Sequence, residues 1–165
     1  MKFKLSERLA YLAGVWKARA SDEGVGIRGN SRMREIFLKL LLELKLARPE
    51  EIKWVEIENE RGYEGRVYFY HTALREYLRE LTNMPSDLMR KRNAISSAYT
   101  AGLFDAVGGV KNGVAYFARM SAEDEHMVAR LGFNCIRVRG KLVIAKSQTK
   151  EFLDFVKPHL KFLSL

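Results

Sequence analysis

The stretch AYTAGLFDAVGGV, residues 98–110, has the composition of a helix in which small residues replace bulky ones. Ala98, Ala101, Gly102 and Ala106 recur at helical spacings, although a glycine inside a helix costs roughly 1 kcal/mol relative to alanine. Small residues along one side of a helix allow a second helix to approach at close range. The stretch therefore predicts a helix that packs closely against another helix, which offsets the cost of its glycine.

The same pattern occurs near the N-terminus, which indicates a tandem duplication. The segment AYLAGVWKARAS (residues 10–21) aligns with AYTAGLFDAVGG (residues 98–109), with identical residues at five positions. Further on, REYLREL (residues 75–81) aligns in the same order with KEFLDFV (residues 150–156). We expect the two motif helices to meet across a pseudo-twofold axis. The residues expected at this crossing are Ala10, Ala13, Gly14, Ala98, Ala101 and Gly102.

Periodicity and turn signals give each copy the order αββαββα. In the second copy we predict a helix over 91–106, extended pieces near 110 and 114–120, a helix from 121 to 132, a hairpin over 135–146 and a helix over 149–163. In the first copy we predict a helix over 5–18, an extended region ending at 29, a helix over 31–47, strands over 52–57 and 65–70, and a helix over 72–81. The fold class is α+β, with a first half over 1–82, a linker over 83–93 and a second half over 94–165.

The net charge of +9 favours an anionic partner, because cationic side chains gain counterion entropy when they bind phosphates. Residues 91–165 carry twice as many basic as acidic side chains. The single Cys135 has no internal disulfide partner, and the scattered histidines lack zinc-ligand spacing. The apolar runs are interrupted by charges, so we expect a cytoplasmic chain with no membrane partner. The abundance of Lys, Arg and Glu is typical of a prokaryotic thermophile such as an archaeon.

The motif helices YLAGVWKARAS (residues 11–21) and YTAGLFDAVGG (residues 99–109), each opening one half, resemble the two LAGLIDADG motifs of a single-chain homing endonuclease. The resemblance covers nearly the whole chain. It implies that the motif helices pack at the centre and that two mixed or antiparallel sheets form a saddle over the DNA major groove. It also implies that the eighth residue of each motif should be an acidic ligand of a divalent metal at the scissile phosphates.

This chain departs from that pattern at the metal positions. The eighth residues are Arg19 and Val107, which supply no carboxylate oxygen for Mg²⁺. Asp105, at the sixth position, is a weak candidate metal ligand, and a helix-end or interface carboxylate is the favoured interpretation. Asp22 and Glu23 could compensate only if the first motif helix ended about a turn later. We therefore predict no catalytic residue, no metal and no cofactor, with Mg²⁺ required only if the chain is an active endonuclease.

The hairpin over residues 135–146 is the main candidate for polyanion contact. Ile136 and Val138 alternate with Arg137 and Arg139, so one face of this ribbon should be cationic. Arg19 has two open interpretations: it binds a phosphate oxygen where the family holds a metal, or it interacts with the dipole at its helix end. The residues predicted to bind nucleic acid are Arg19, Arg28, Arg119, Arg137, Arg139 and Lys141.

The first half offers a mixed surface and a misleading motif. Trp54, Glu56 and Glu58 should share one strand face, where two carboxylates would oppose phosphate contact. The expected neighbours of that group are Arg66, Tyr68 and Tyr70. The segment GVGIRG (residues 24–29) matches a dinucleotide-binding pattern, but the residues before it do not predict a buried parallel strand. Its glycines more plausibly serve a tight bend or a close backbone approach.

Together these features predict a monomeric, noncatalytic nucleic-acid-binding protein with pseudo-twofold symmetry. Duplex DNA is favoured over structured RNA as its partner. The hairpins after the motif helices are short, so long sequence-specific recognition is not expected. An active, metal-dependent DNA endonuclease and a protein-interaction or architectural module remain as alternatives.

Overall fold

Two helices with small residues on one side cross at the centre of the molecule. The two helices are α1 (Glu7–Arg19) and α5 (Ala94–Val107). The computed structural model describes residues 2–59 and 62–165. A Cβ atom at Gly14 would lie 2.3 Å from the Tyr99 carbonyl oxygen, and one at Gly102 would lie 2.2 Å from the Tyr11 carbonyl oxygen. Tyr11 and Tyr99 are equivalent positions of the repeat, so the close approach is the same in both directions.

The first half has one strand fewer than the repeat predicts. Its remaining elements are β1 (Val25–Gly29), α2 (Ser31–Glu43), β2 (Lys53–Asn59), β3 (Gly62–Phe69) and α3 (Thr72–Asn83). The strands pair antiparallel in the order β1-β3-β2. The expected strand before β1 is reduced to a single bridge between Ala20 and Ile27. The chain turns back at Gly24, whose φ of +53° is accessible to glycine, so the incoming strand has no room to extend.

The second half follows the predicted αββαββα order. After a short linker helix α4 (Pro85–Leu88), α5 leads into β4 (Gly108–Lys111), β5 (Val114–Phe117), α6 (Ala122–Arg130), β6 (Cys135–Val138), β7 (Lys141–Ile144) and α7 (Thr149–Val156). These strands pair antiparallel in the order β4-β5-β7-β6. The α+β fold class is therefore confirmed, and both sheets are antiparallel throughout the described residues.

Two helices end earlier than the periodicity predicts. The last helix gives way to a 3₁₀ turn at Lys157–His159 because Pro158 has no N–H to continue the hydrogen-bond ladder. The helix predicted over 31–47 ends at Glu43, and Lys45 adopts a positive φ of 56° just beyond it. Apolar periodicity continues past both points, so it overestimates the helix lengths. No helix within the described ranges is long and apolar enough to cross a membrane.

Each sheet has one face packed against helices. In the first sheet, the fully buried side chains Ile27 and Val67 lie on the helix face together with Phe69. In the second sheet, Phe117 and Leu142 are fully buried and contribute to a core that extends to α7. Because side chains alternate along a strand, the residues between these buried positions lie on the opposite, open face.

Candidate nucleic-acid interface

Arg19 lies at the end of α1 and reaches the partner motif helix. Its Nε donates a hydrogen bond of 2.5 Å to the carbonyl oxygen of Ala106, in the last turn of α5. Burial of the guanidinium and the nearby charge of Arg119 lower the pKa of Arg19, and Glu64 acts in the opposite direction. Since arginine remains protonated in proteins, Arg19 and Arg119 are two cations near the centre of the molecule, and the carboxylate of Glu64 is also close enough to act on Arg19. The sequence predicts that Arg19 either binds a phosphate or interacts with the end of its own helix. Its guanidinium does contact a helix end, but that of α5, through the Ala106 carbonyl, and not that of α1.

Val107, the other eighth position, is buried, and its backbone carbonyl accepts a hydrogen bond of 2.8 Å from the Ala118 N–H. Neither Arg19 nor Val107 has a side-chain oxygen that could bind a divalent cation. Within residues 2–59 and 62–165, no group of three His, Cys, Asp or Glu side chains lies close enough together to hold a metal ion. The side chains at the two eighth positions therefore do not fit the carboxylate-bound metal of the resembled family.

Asp105 is a buried acceptor that joins the two halves to the C-terminal segment. Its Oδ2 accepts hydrogen bonds from the Tyr11 hydroxyl at 2.6 Å and from the Lys161 N–H at 2.7 Å. The N–H groups of Phe162 and Leu163 donate to the same carboxylate at 3.1 and 2.8 Å. Burial, followed by the charge of Asp105, raises the pKa of Tyr11, so this phenol stays protonated and donates. The carboxylate is thus surrounded by protein donors.

The open face of the first sheet is defined by the register of β3. Arg66 pairs with Arg28 on β1 and with Val55 on β2, while Tyr68 pairs with Gly26 and Lys53. Paired residues project to the same side of a sheet, so the cations Arg28, Lys53 and Arg66 lie on one face. Arg28 and Lys53 are exposed. This set of three cations is called the cationic face below.

Glu23 and Glu64 both lie beside the cationic face: Glu23 contacts Arg66, and Glu64 projects from β3 to the same side as Arg66. Glu23 lies 3.0 Å from Arg66, and the Tyr70 hydroxyl donates to Glu23 at 3.4 Å. Asp22, the other carboxylate just after the first motif, is exposed in the turn before β1. Neither carboxylate replaces the missing metal ligands, because Glu23 is held by β3 and α1 ends at Arg19 as the repeat predicts.

The predicted grouping of Arg66 and Tyr68 with Trp54 and Glu56 is wrong. Trp54 pairs with the buried Val67, so Trp54 and Glu56 lie on the helix face of the sheet. The side chain of Glu58, the third member of that group, lies outside the described part of the chain. The alternation along β2 was correct, but the register with β3 places the aromatic and cationic residues of β3 on the opposite face.

Arg34, on α2, neutralises Glu56 beneath the sheet. Its Nη1 and Nη2 lie 3.2 and 3.0 Å from the two carboxylate oxygens, and Trp54 Nε1 donates to the same carboxylate at 2.7 Å. The hydrogen bonds from Arg34, then that from Trp54, lower the pKa of Glu56. A Cβ at Gly65 would lie 2.6 Å from the guanidinium carbon, so the glycine makes room for it. Sequence reasoning missed Arg34, although a glycine inside a strand signals such a close approach.

Arg137 is also on the helix face, where it makes local contacts. It pairs with the buried Leu142, its Nε donates to Glu125 at 2.8 Å, and its Nη2 donates to the Met120 carbonyl at 2.8 Å. The expected alternation with Ile136 is present, but the cationic side of the hairpin is directed towards α6. The expected shared cationic surface of Arg137 and Arg139 is therefore corrected: Arg139 lies in the exposed turn at a φ of +52°.

Lys141 lies on the open face of the second sheet. It pairs with Val138, and its Nζ is 5.0 Å from the ring centroid of Tyr116. Tyr116 pairs with Gly109 and Val143 on the same side. The hairpin of β6 and β7 therefore presents Lys141 and the turn residue Arg139 at its tip, and Lys111 of β4 lies on the same open face.

The structure places five of the six predicted contact residues in three groups. Arg19 and Arg119 meet at the centre, Arg28 belongs to the cationic face, and Arg139 and Lys141 lie at the tip of the second hairpin. Arg137 is directed to α6 instead. The residues missing from the prediction are Lys53 and Arg66, which only the register of the first sheet places beside Arg28. In the segment GVGIRG, Gly24 precedes β1 and the other five residues form β1, which pairs antiparallel with β3.

Comparison with known proteins identifies the fold. A variant of the homing endonuclease I-DmoI, solved with its target DNA and Mn, superposes with a TM-score of 0.65 at 16% identity, covering 93% of this chain and 96% of that one. I-WcaI bound to its DNA recognition sequence gives a TM-score of 0.63 at 15% identity over 97% and 85% of the two chains. The N-terminal LAGLIDADG domain of WhiA gives 0.57 at 15% identity over 94% and 86%.

These similarities show that the chain has the LAGLIDADG fold, as the motif helices indicated. No family model matches its sequence, and no curated protein sequence matches it. The likeness is therefore one of structure, with the sequence strongly diverged.

Proposed function

We propose that this protein binds duplex DNA across the open faces of its two sheets and does not hydrolyse it. The observation that carries the proposal is the cationic face, where Arg28, Lys53 and Arg66 lie together on the open side of the first sheet. Glu64 of β3 lies on the same open side and Glu23 contacts Arg66, whereas Glu56 lies on the other side and is neutralised by Arg34. Lys and Arg on an exposed surface gain affinity for phosphates through counterion release.

The fold supports duplex DNA as the partner. The structures of I-DmoI and I-WcaI contain target DNA, and this chain covers nearly their whole length. In the proposed complex one chain supplies both halves, so the protein acts as a monomer on an asymmetric site. Each open face lies on the side of its sheet away from the helices, so both faces are available for the proposed contact with one duplex.

The centre supports binding without cleavage. Hydrolysis by a metal-dependent nuclease requires carboxylate oxygens that hold the divalent ion at the scissile phosphate. Here Arg19 and Val107 occupy those positions, and Asp105 is used by Tyr11 and the C-terminal backbone. Arg19, beside Arg119, supplies positive charge for a phosphate but no means of activating water. We propose that the guanidinium holds the DNA backbone where the family would hold a metal.

The double variant Arg28→Ala, Lys53→Ala tests the cationic face. We expect it to weaken binding to all duplex sequences and to reduce the slope of log affinity against log salt by about two, since each phosphate contact contributes roughly 0.9. Fluorescence anisotropy with a labelled duplex at several salt concentrations measures this slope. Both side chains are exposed, so the fold should be unaffected.

The matched control is Lys39→Ala, Arg48→Ala, which removes the same charge from exposed positions on and just after α2. Lys39 lies on α2 and Arg48 in the segment between α2 and β2, so neither belongs to a strand. The control should shift affinity slightly and leave the slope unchanged. If the two double variants reduced the slope equally, binding would follow net charge alone and the assignment to the cationic face would be wrong.

A further inference from the structure

The open face of the second sheet is mainly aliphatic. Val143, on β7, pairs directly with Ile136 on β6, and Val138 is the next residue of β6 on the same side. Val114 and Tyr116 of β5 extend this surface across the sheet. Ile136 is 64% exposed and Val138 is 44% exposed, high values for branched aliphatic side chains. These residues, Val114, Ile136, Val138 and Val143, are called the aliphatic face.

Cations border the aliphatic face and no carboxylate belongs to its strands. The segments 108–117 and 135–144, which contain all four strands and both hairpin turns, have no Asp or Glu. Lys111 pairs with Val114 and Lys141 with Val138, so both lysines lie on the open side. Arg139 adds a third exposed cation in the turn. An occupant of this face must therefore be anionic at its edges and apolar at its centre.

Thymine-containing duplex DNA has that combination. The phosphate backbones flank the major groove, and the 5-methyl group of each thymine is the apolar group on its floor. Lys111, on the edge strand β4, and Lys141, at the start of β7, border the aliphatic side chains and can contact phosphates. Branched aliphatic side chains cannot read the donor and acceptor pattern of G·C pairs, but they can bury methyl groups, and Tyr116 is the residue beside them that carries a hydroxyl.

We propose that the aliphatic face contacts thymine methyl groups in the major groove, so that the half of the DNA beneath the second sheet is rich in A·T pairs. This inference rests on the proposed function, and it gives the two sheets different roles in DNA binding. The pseudo-equivalent first sheet presents the cationic face, which binds phosphates or guanine edges, whereas the second sheet selects by apolar contact. The two duplicated halves thus contact different chemical groups of the same duplex.

The test compares two duplexes that differ only in the thymine methyl: an alternating dA-dT duplex and an alternating dA-dU duplex of equal length. We expect the wild-type protein to bind the dA-dT duplex about four- to fifteenfold more tightly, since burial of one or two methyl-sized groups contributes roughly fourfold each. Competition anisotropy at constant salt measures the ratio. The preference should not depend on Mg²⁺, so the measurement is made in EDTA.

The variant Ile136→Thr, Val138→Thr keeps the β-branched shape and adds hydroxyl groups at exposed positions. We expect it to bind the two duplexes equally. The control Val110→Thr makes the same change at a 41%-exposed valine of β4 that pairs with the buried Ala115 on the helix face. This control should retain the wild-type preference. Circular dichroism of all three proteins checks that the sheet is intact.

The outcomes separate the two proposals. Equal wild-type affinity for both duplexes would overturn the methyl contact while leaving DNA binding in place. A preference that persists in Ile136→Thr, Val138→Thr would also overturn it, because the duplexes would then be distinguished by shape. Failure of both duplexes to bind would overturn the proposed function itself. A wild-type dimer that the same double variant dissociates would assign the aliphatic face to a second copy of the chain.

Discussion

Gly14→Ala and Gly102→Ala should each destabilise the protein by about 3 kcal/mol or more. In an ordinary helix the same change stabilises by up to roughly 1 kcal/mol, because alanine has the higher helix propensity. Here the added Cβ would lie 2.3 Å from the Tyr99 carbonyl oxygen or 2.2 Å from that of Tyr11. Neither is a flexible side-chain atom, so the two helices must separate and the packing of the whole interface changes. Urea unfolding followed by circular dichroism measures the effect.

Gly29→Ala is the matched control. A Cβ at this position would lie 3.7 Å from its nearest neighbours, which is an ordinary contact distance. The backbone of Gly29 does not have a positive φ, so an alanine fits its conformation. We expect its free energy of unfolding to stay close to that of the parent protein. Unchanged unfolding of Gly14→Ala would contradict the close crossing of α1 and α5, and with it the pseudo-twofold arrangement of the halves.

Asp105→Ala should have a similarly large effect, about 3–5 kcal/mol. The substitution leaves the Tyr11 hydroxyl and the backbone N–H groups of Lys161, Phe162 and Leu163 without their acceptor. A buried donor that loses its partner costs about 1–3 kcal/mol, although such costs are not fully additive. Tyr11→Phe removes one of these hydrogen bonds only and should cost less. Thermal and urea unfolding of both variants measure the difference.

Asp154→Ala, at an exposed aspartate of α7, is the control for loss of a carboxylate and should be nearly neutral. The same unfolding experiments with and without Mg²⁺ distinguish a structural acceptor from a metal ligand. An acceptor held by protein donors gives a melting temperature that is independent of Mg²⁺. A rise in the melting temperature with Mg²⁺ that disappears in Asp105→Ala would contradict the structural role.

The helix crossing could be predicted from sequence because its cause is local. Gly14 and Gly102 recur at equivalent positions of a repeat, and only close packing explains small residues at both. The missing first strand could not be predicted in the same way. Its segment resembles the start of a hairpin, and the early reversal at Gly24 depends on how that glycine meets the Phe69 backbone across the sheet.

The open faces were harder to predict because alternation does not say which side of a strand is buried. Arg137 and Ile136 alternate as expected, yet Leu142 directs the arginine towards the helices. The same ambiguity led to the wrong prediction that Trp54 and Glu56 share a strand face with Arg66. Pairing across the sheet settles both cases, and it depends on contacts between residues far apart in sequence. The Arg34–Glu56 ion pair is another such contact.

Titration of a duplex and of a supercoiled plasmid with the wild-type protein, in EDTA and in Mg²⁺, tests the central claim most directly. The account predicts binding that weakens steeply with salt, equal affinity with and without Mg²⁺ at constant ionic strength, and a plasmid that stays supercoiled. Arg19→Ala, titrated in EDTA, should bind more weakly than the parent, because the central guanidinium holds a phosphate. Nicking or linearisation of the plasmid that requires Mg²⁺ would contradict the noncatalytic account, and the absence of any complex would contradict DNA binding.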